Sequence, residues 1–389
     1  MRVLFFNYEY PPLGGGAANA TLCILRELSE IADLEVDLVT SAVNNEYSTE
    51  KIGENITIYK VPIGKNSANL HFQSQKDLIV YTWRAFLLSN KLLKKNKYDL
   101  THSFFTVPCG ALSLWFKLTR KIPYIISLRG SDVPGYSERF KFIYAILKPL
   151  IKFIWKKSDA VVSNSQGLRD LALKTSSRQN VDIIFNGIDL NDFYPNESLR
   201  SRDKFIITIG ATRITARKGT NYLIEALGIL APNNPNLLLR ILGDGDEKNN
   251  LIELTKRLKL EKFVQFLGRV PREETSPYYQ EASLFVLPSL NEGMSNAMLE
   301  ALASGLPILA TETGGTEELV ENGVNGFIIK MKDAQDLAEK IEMILKDEGL
   351  RVQMGLASRK KAQEMSWTIV ADKYYDLYAQ IADKNSNPF

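Results

Sequence analysis

The chain has 389 residues, 45% hydrophobic and 24% charged, and its 48 basic and 45 acidic side chains leave a net charge of +3. That length exceeds one ordinary domain and carries enough apolar residues for two cores, and so balanced a charge excludes a general nucleic-acid binder. With two cysteines (Cys23, Cys109) and two histidines (His71, His102), a disulfide framework and a His/Cys metal site are excluded as well.

The first strand is expected at Arg2–Asn7, an apolar run without the long core of a signal peptide. Tyr10-Pro11-Pro12-Leu13-Gly14-Gly15-Gly16 then leads into a helix. This is not a dinucleotide loop. Asn19 stands where the third glycine belongs, and Val39-Thr40-Ser41 ends the second strand without a ribose-binding acid. Further strands are expected at Val36–Thr40, Ile56–Val61, Leu100–Phe104, Tyr124–Leu128, Ala160–Asn164 and Asp182–Phe185. Apolar runs separated by helical patterns indicate parallel sheets covered on both faces. After Tyr124–Leu128 comes Arg129-Gly130-Ser131-Asp132, at the carboxyl end of a strand, where ligands of such sheets gather.

The segment 140–157 is unusually apolar, yet Lys141, Lys148, Lys152 and Lys156 fall along one helical stripe. Basic charge interleaved with aromatics suits an interfacial helix on an anionic membrane. A buried helix with one solvated lysine face fits the same pattern. The surplus of apolar residues favours the membrane. No run of about 18 apolar residues occurs, so a spanning helix is not expected and the chain is expected in the cytoplasm.

A turn-rich stretch from Asn186 to Ser198 has no apolar period, and a break between two α/β domains is expected near residue 195. The second set of strands is expected at Phe205–Gly210, Asn236–Gly243, Val264–Leu267, Leu284–Pro288, Pro307–Ala310 and Gly326–Ile329. Arg213 and Lys218 follow its first strand and can neutralise a departing diphosphate. After Pro288 comes Leu290-Asn291-Glu292-Gly293-Met294-Ser295-Asn296. Ser295 or Asn296 can cap a helix whose free N–H groups form an anion site. Glu300 lies in the second turn of that helix, within reach of a ribose diol, and Glu292 in the loop reaches the sugar. Glu300 also sits among Met298, Leu299, Ala301 and Leu302, where an unpaired carboxylate would be costly.

Glu292 and Glu300 have seven residues between them. Together with Leu299-Glu300-Ala301, Ser304-Gly305, Pro307 and the later Glu312–Val320 and Asn322–Gly326 stretches, the pattern resembles the E-x7-E signature of retaining family-four glycosyltransferases, the glycosyl transferases of group 1. The resemblance implies the GT-B fold: α/β, with two Rossmann-like domains facing a central cleft. Residues 1–195 would bind the acceptor and 196–365 the nucleotide-sugar donor, and a C-terminal helix over 366–389 would pack back on the first domain. The implied activity is hexosyl transfer, with retention, from a nucleotide-diphosphate sugar (UDP ahead of GDP) to a glycan or lipid-linked acceptor in cell-surface polysaccharide synthesis. No cofactor or metal is expected, and no nucleic-acid partner. Glu292, Arg129, Arg213 and Lys218 would be catalytic. Gly15, Gly16, Arg213, Lys218, Val270, Gly293, Met294, Ser295, Asn296, Leu299 and Glu300 would bind the donor, and Asp132 stands on the acceptor side. Arg129 occupies a position where the family usually has histidine. Arginine does not deprotonate and cannot serve as a general base, so a phosphate-binding or acceptor-binding role is expected there. The alternatives are a nucleotide-sugar epimerase and a catalytically silent sugar-nucleotide-binding protein.

Overall fold

The computed structural model describes residues 1–65, 70, 73–136, 141–292 and 294–386. His71, Phe140 and Gly293 lie outside them. The chain forms two compact units, Met1–Asn186 joined by Trp367–Phe389, and Gly187–Ser366. The division thus falls ahead of residue 195, because Ile188 already pairs with Ser366 and Phe193 is packed in the second core.

The first unit holds an eight-stranded sheet in the order β3-β4-β2-β1-β5-β6-β7-β8. Its strands are β1 (Arg2–Phe6), β2 (Glu35–Ala42), β3 (Ser48–Ile52), β4 (Ile56–Pro62), β5 (Leu100–Phe104), β6 (Tyr124–Ser127), β7 (Ala160–Ser163) and β8 (Asp182–Ile183). All pairs are parallel except β3 with β4, an antiparallel edge that the sequence reading did not anticipate. Its residues Ser48-Thr49-Glu50-Lys51 are exposed and show no apolar alternation. The helices are α1 (Gly16–Leu28), α2 (Gln75–Lys95), α3 (Ala111–Arg120), α4 (Lys141–Lys157) and α5 (Gln166–Thr175). The C-terminal α12 (Trp367–Ser386) packs beside α1, where Thr368 donates to Glu27 (2.8 Å) and Tyr375 to Asp33 (2.7 Å).

β1 is buried on both faces because Val3, Leu4, Phe5 and Phe6 leave no polar side. The central β5 carries polar residues into that core and satisfies each. Thr101 donates to Ser113 (2.7 Å), Ser103 lies 2.8 Å from the same hydroxyl, and His102 sits 2.7 Å from both Tyr378 and Ser127. Burial pushes the His102 imidazole well below its ordinary pKa, so it is neutral.

The second unit has a six-stranded parallel sheet, order β11-β10-β9-β12-β13-β14, made of β9 (Phe205–Arg213), β10 (Leu237–Asp244), β11 (Val264–Gly268), β12 (Leu284–Leu287), β13 (Ile308–Thr311) and β14 (Gly326–Ile329). Helices α6 (Thr220–Leu230), α7 (Lys248–Arg257), α8 (Ser276–Glu281), α9 (Asn296–Ala303), α10 (Ala334–Lys346) and α11 (Glu348–Gln363) cover it. β9 runs to Arg213, beyond the expected end at Gly210, because its pairing with β10 resumes past an irregularity after Leu242, setting Arg213 opposite Asp244. No helix among the described residues is long and apolar enough to cross a membrane.

Candidate active site

In each sheet the strand order reverses once, and ligands of open parallel sheets bind beyond the strand ends at that point. In the second unit the reversal lies between β9 and β12. The loops following those two strands carry the expected donor residues, and backbone contacts hold them together. Gly219 has φ +63°, and a Cβ there would collide with the Pro288 carbonyl. Leu290 N–H donates to Arg217 O at 2.7 Å. Glycine is therefore required at 219 because the two loops touch.

That clamp brings Lys218 to Glu292. The ammonium donates to the carboxylate at 2.6 Å, and the Ser289 hydroxyl donates to the same oxygen at 3.2 Å. Ser289 is in turn fixed by Thr311, whose hydroxyl donates to its carbonyl. The side chains of Lys218 and Glu292 are 20% and 21% exposed. So limited an exposure shields the pair in part from water, placing it between the surface and buried limits of ion-pair strength. Arg213 is placed differently: it is exposed and reaches Asp246 at 3.4 Å.

Ser295 caps α9, accepting from Met298 N–H at 3.4 Å. The sequence reading put Leu299 against the donor, whereas its side chain is fully buried and its N–H donates to Ser295 O. Helical geometry turns that residue inward with Met298 and Leu302. Met294 is buried, and Asn296 and Val270 are half-buried; Gly268, just before Val270, has φ +72° and open space beside it.

Glu300 is buried and its carboxylate is already paired. One oxygen accepts from Arg272 Nε at 3.2 Å, the other from the Tyr279 hydroxyl at 2.9 Å. Burial raises its pKa, and Arg272 and Tyr279 oppose that rise. Gly210 allows the arrangement, since a Cβ there would collide with the Tyr279 hydroxyl. Arg272 also lies 3.8 Å from Asp192 and over the Phe193 ring. Neither Arg272 nor Tyr279 was singled out in the sequence. An apolar run around Glu300 announces that a partner is needed, without naming it.

In the first unit the reversal lies between β1 and β5. Gly15 and Gly16 are exposed at the start of α1, with nothing near a Cβ built at Gly15. The conformational demand falls on Gly14, at φ +93°, where a Cβ would clash with the Glu9 side chain. Glu9 is the residue missed here. Its carboxylate lies 3.5 Å from Gly15 N, and desolvation pushes its pKa up to about 7.

Arg129 and Asp132 are committed to the fold. The Arg129 guanidinium lies 3.5 Å over the Phe104 ring and donates to Asn186 (3.0 Å) and Tyr374 (3.1 Å). Its Nε is sealed from solvent with no acceptor. Through these contacts Arg129 ties the loop after β6 to α12. Asp132 accepts from the backbone of Arg129 (3.0 Å), Gly130 (3.1 Å) and Thr106 (2.9 Å), and from the Thr106 hydroxyl (3.1 Å). With two donors on each oxygen, it pins the loops after β5 and β6.

No cluster of side chains suited to a metal ion occurs among the described residues. The model of the family described as Glycosyltransferase Family 4 matches residues 14–192, and that described as Glycosyl transferases group 1 matches residues 192–361. An uncharacterized glycosyltransferase of Methanocaldococcus jannaschii is 26% identical over 385 residues, covering 98% of this chain and 99% of its own. A lipopolysaccharide core biosynthesis glycosyltransferase of Rhizobium meliloti is 27% identical over 255 residues, 64% of this chain and 73% of its own. HepE of Anabaena, solved in complex with UDP-glucose, superposes with a TM-score of 0.73 at 19% identity, over 98% of this chain and all of its own, and shows the same GT-B fold.

Proposed function

Because the chain belongs to the group 1 glycosyltransferases of family four, enzymes of the hexosyltransferase class, we propose that it moves a hexose, with retention, from a UDP-sugar to a lipid-linked or glycan acceptor in cell-surface polysaccharide synthesis. The observation that carries the proposal is the meeting of Lys218 with Glu292 at the reversal of the second sheet, in the loop that leads into the helix carrying Glu300. In this reading Glu300 accepts from the ribose hydroxyls, the first turn of α9 and Lys218 hold the diphosphate, and Glu292 holds the sugar. The acceptor oxygen bonds to the anomeric carbon while the bond from that carbon to the diphosphate breaks. The leaving phosphate oxygen takes the acceptor's proton on the same face, so no separate base is needed. Lys218, with Arg213 swinging from Asp246, stabilises the charge that builds on the diphosphate. That places on side chains the electrostatic work a divalent ion performs elsewhere, and we expect transfer without one.

UDP is favoured because HepE is a UDP-glucose binder of the same fold. The cell-surface product is supported by the lipopolysaccharide relative and by α4, where Phe142, Ile146, Leu150 and Phe153 are exposed beside Lys148, Lys152 and Lys156 while Tyr144, Ile151, Ile154 and Trp155 fill the core. The test is incubation with a panel of nucleotide sugars, with and without lipid-linked acceptors, the product being read by proton NMR. An α-linked product from an α-linked donor is expected. A β-linked product refutes retention, and alteration of free donor without acceptor would establish an epimerase instead.

A further inference from the structure

The connections β4→β5, β5→β6 and β6→β7 all advance across the first sheet in one direction, whereas β1→β2 runs the other way. Right-handed crossovers therefore set α2, α3 and α4 on one face and α1 on the opposite face. The three helices are neighbours. Phe86 on α2 meets Trp115 on α3 edge-to-face at 5.8 Å, and Lys117 on α3 pairs at 2.8 Å with Asp159, just past α4.

Each of these helices buries one apolar stripe and exposes a second. On α2 the exposed residues are Ile79, Trp83 and Leu87, on α3 Trp115 and Leu118, and on α4 Phe142, Ile146, Leu150 and Phe153. Spacings of three and four align each set into a ridge. Among the described residues, α1 and α12 on the other face expose no large hydrophobic side chain. The charge is equally one-sided. In sequence, α2, α3 and α4 contain twelve lysines and arginines and a single acid, Asp77, in a chain whose net charge is only +3.

We propose that α2, α3 and α4 together form one docking platform for a bilayer rich in anionic phospholipid, with Trp83 and Trp115 entering the headgroup region. The proposal rests on the membrane element of the functional reading and extends it from α4 to a whole face. A second copy of the chain does not suit this surface, because a self-complementary contact would set lysines against lysines. A nucleic acid could use the lysines and the exposed Trp83, Trp115, Phe142 and Phe153, but it would leave the aliphatic ridge of Ile79, Leu87, Leu118 and Ile146 uncovered, whereas acyl chains cover both. Tryptophan beside lysine, over an apolar ridge, is the pattern that an interface between headgroups and acyl chains rewards.

The chain's four tryptophans make the test direct. Trp83 and Trp115 are 63% and 52% exposed, whereas Trp155 and Trp367 are 0% and 5% exposed. Vesicles of phosphatidylglycerol in phosphatidylcholine, with brominated acyl chains, should shift the emission to the blue and quench it. Phosphatidylcholine alone should not, and about 0.5 M salt should reverse the effect, since the attraction is screened over a few ångströms there. Trp83→Phe and Trp115→Phe, both surface changes, should each remove roughly half of the quenching, in line with two reporters of similar exposure. Co-sedimentation without quenching would overturn the platform and leave α4 as the sole contact. Failure to sediment with anionic vesicles at low salt would overturn the platform and the membrane element together. A blue shift with RNA oligomers in place of vesicles would also overturn it. Sugar transfer to a soluble acceptor is scored separately and stands apart from all three outcomes.

Discussion

Replacing Glu300 by alanine removes the one carboxylate that Arg272 and Tyr279 share, at 3.2 and 2.9 Å. Two effects follow, and they separate. The first is on stability. Hydrogen bonds to a charged group contribute about 1.5–3 kcal/mol each, offset here by the cost of burying the carboxylate, which already shows as a raised pKa. The net loss should be roughly 2 kcal/mol, a fall of roughly 4–8 °C in the melting of a unit this size. The second is on ligand binding. Losing the acceptor for a ribose diol should cost about 1–3 kcal/mol, or about 5- to 150-fold in Kd for UDP. Glu300→Gln keeps one acceptor oxygen, so its stability should lie near the native value while its affinity for UDP falls almost as far. Calorimetric titration with UDP and scanning calorimetry on the same samples measure the two effects. If Glu300→Ala melts lower but binds UDP as the native protein does, and Lys218→Ala binds it equally well, the carboxylate is a structural counter-ion for Arg272 and the assignment of the donor site fails.

Lys218→Ala should lower kcat by about 10²–10³, the usual loss when one group stabilising developing charge is removed, and Glu292→Gln should lower kcat more than it weakens UDP; equal losses in UDP affinity for both variants would argue that they only bind. Excess chelator should leave the transfer rate unchanged, and a rate abolished by chelation and restored by a divalent ion would remove the electrostatic task from Lys218 and Arg213. Glu9 gives a pH signature: its folded pKa of about 7 exceeds its ordinary 4.5, so the native state holds the extra proton between those values and loses stability as pH rises through them. Relative to the native protein, Glu9→Gln should therefore gain on the order of 1–3 kcal/mol from pH 4.5 to pH 8, and parallel melting curves across that range would show that the carboxyl is not desolvated.

What was legible in the sequence and what was not divides along the distance over which the deciding contact acts. Strands β1, β9 and β12 could be read because their burial is written in their own residues, whereas β3 exists only through its ladder to β4 and has no apolar alternation to betray it. The common edge on which Lys218 and Glu292 lie was legible too, though their pairing was not. Both residues follow strand ends, and parallel topology gathers such loops on one edge whatever their separation along the chain. Arg129 also follows a strand end, yet its partners are Tyr374, 245 residues away, and Asn186. Position in the topology said that it would lie near the edge; only those partners decide that it points inward. Glu300 is the instructive intermediate. Its apolar neighbours required a buried partner, because an isolated carboxylate there would not stay ionised, and Arg272 and Tyr279 meet that requirement. The same pairing bears on its proposed task. A carboxylate held from two sides presents its remaining lone pairs in fixed directions, so an incoming diol meets an acceptor that has no rotamer freedom left to lose. A freely rotating surface glutamate would lose that freedom on binding and would recognise a ribose less well.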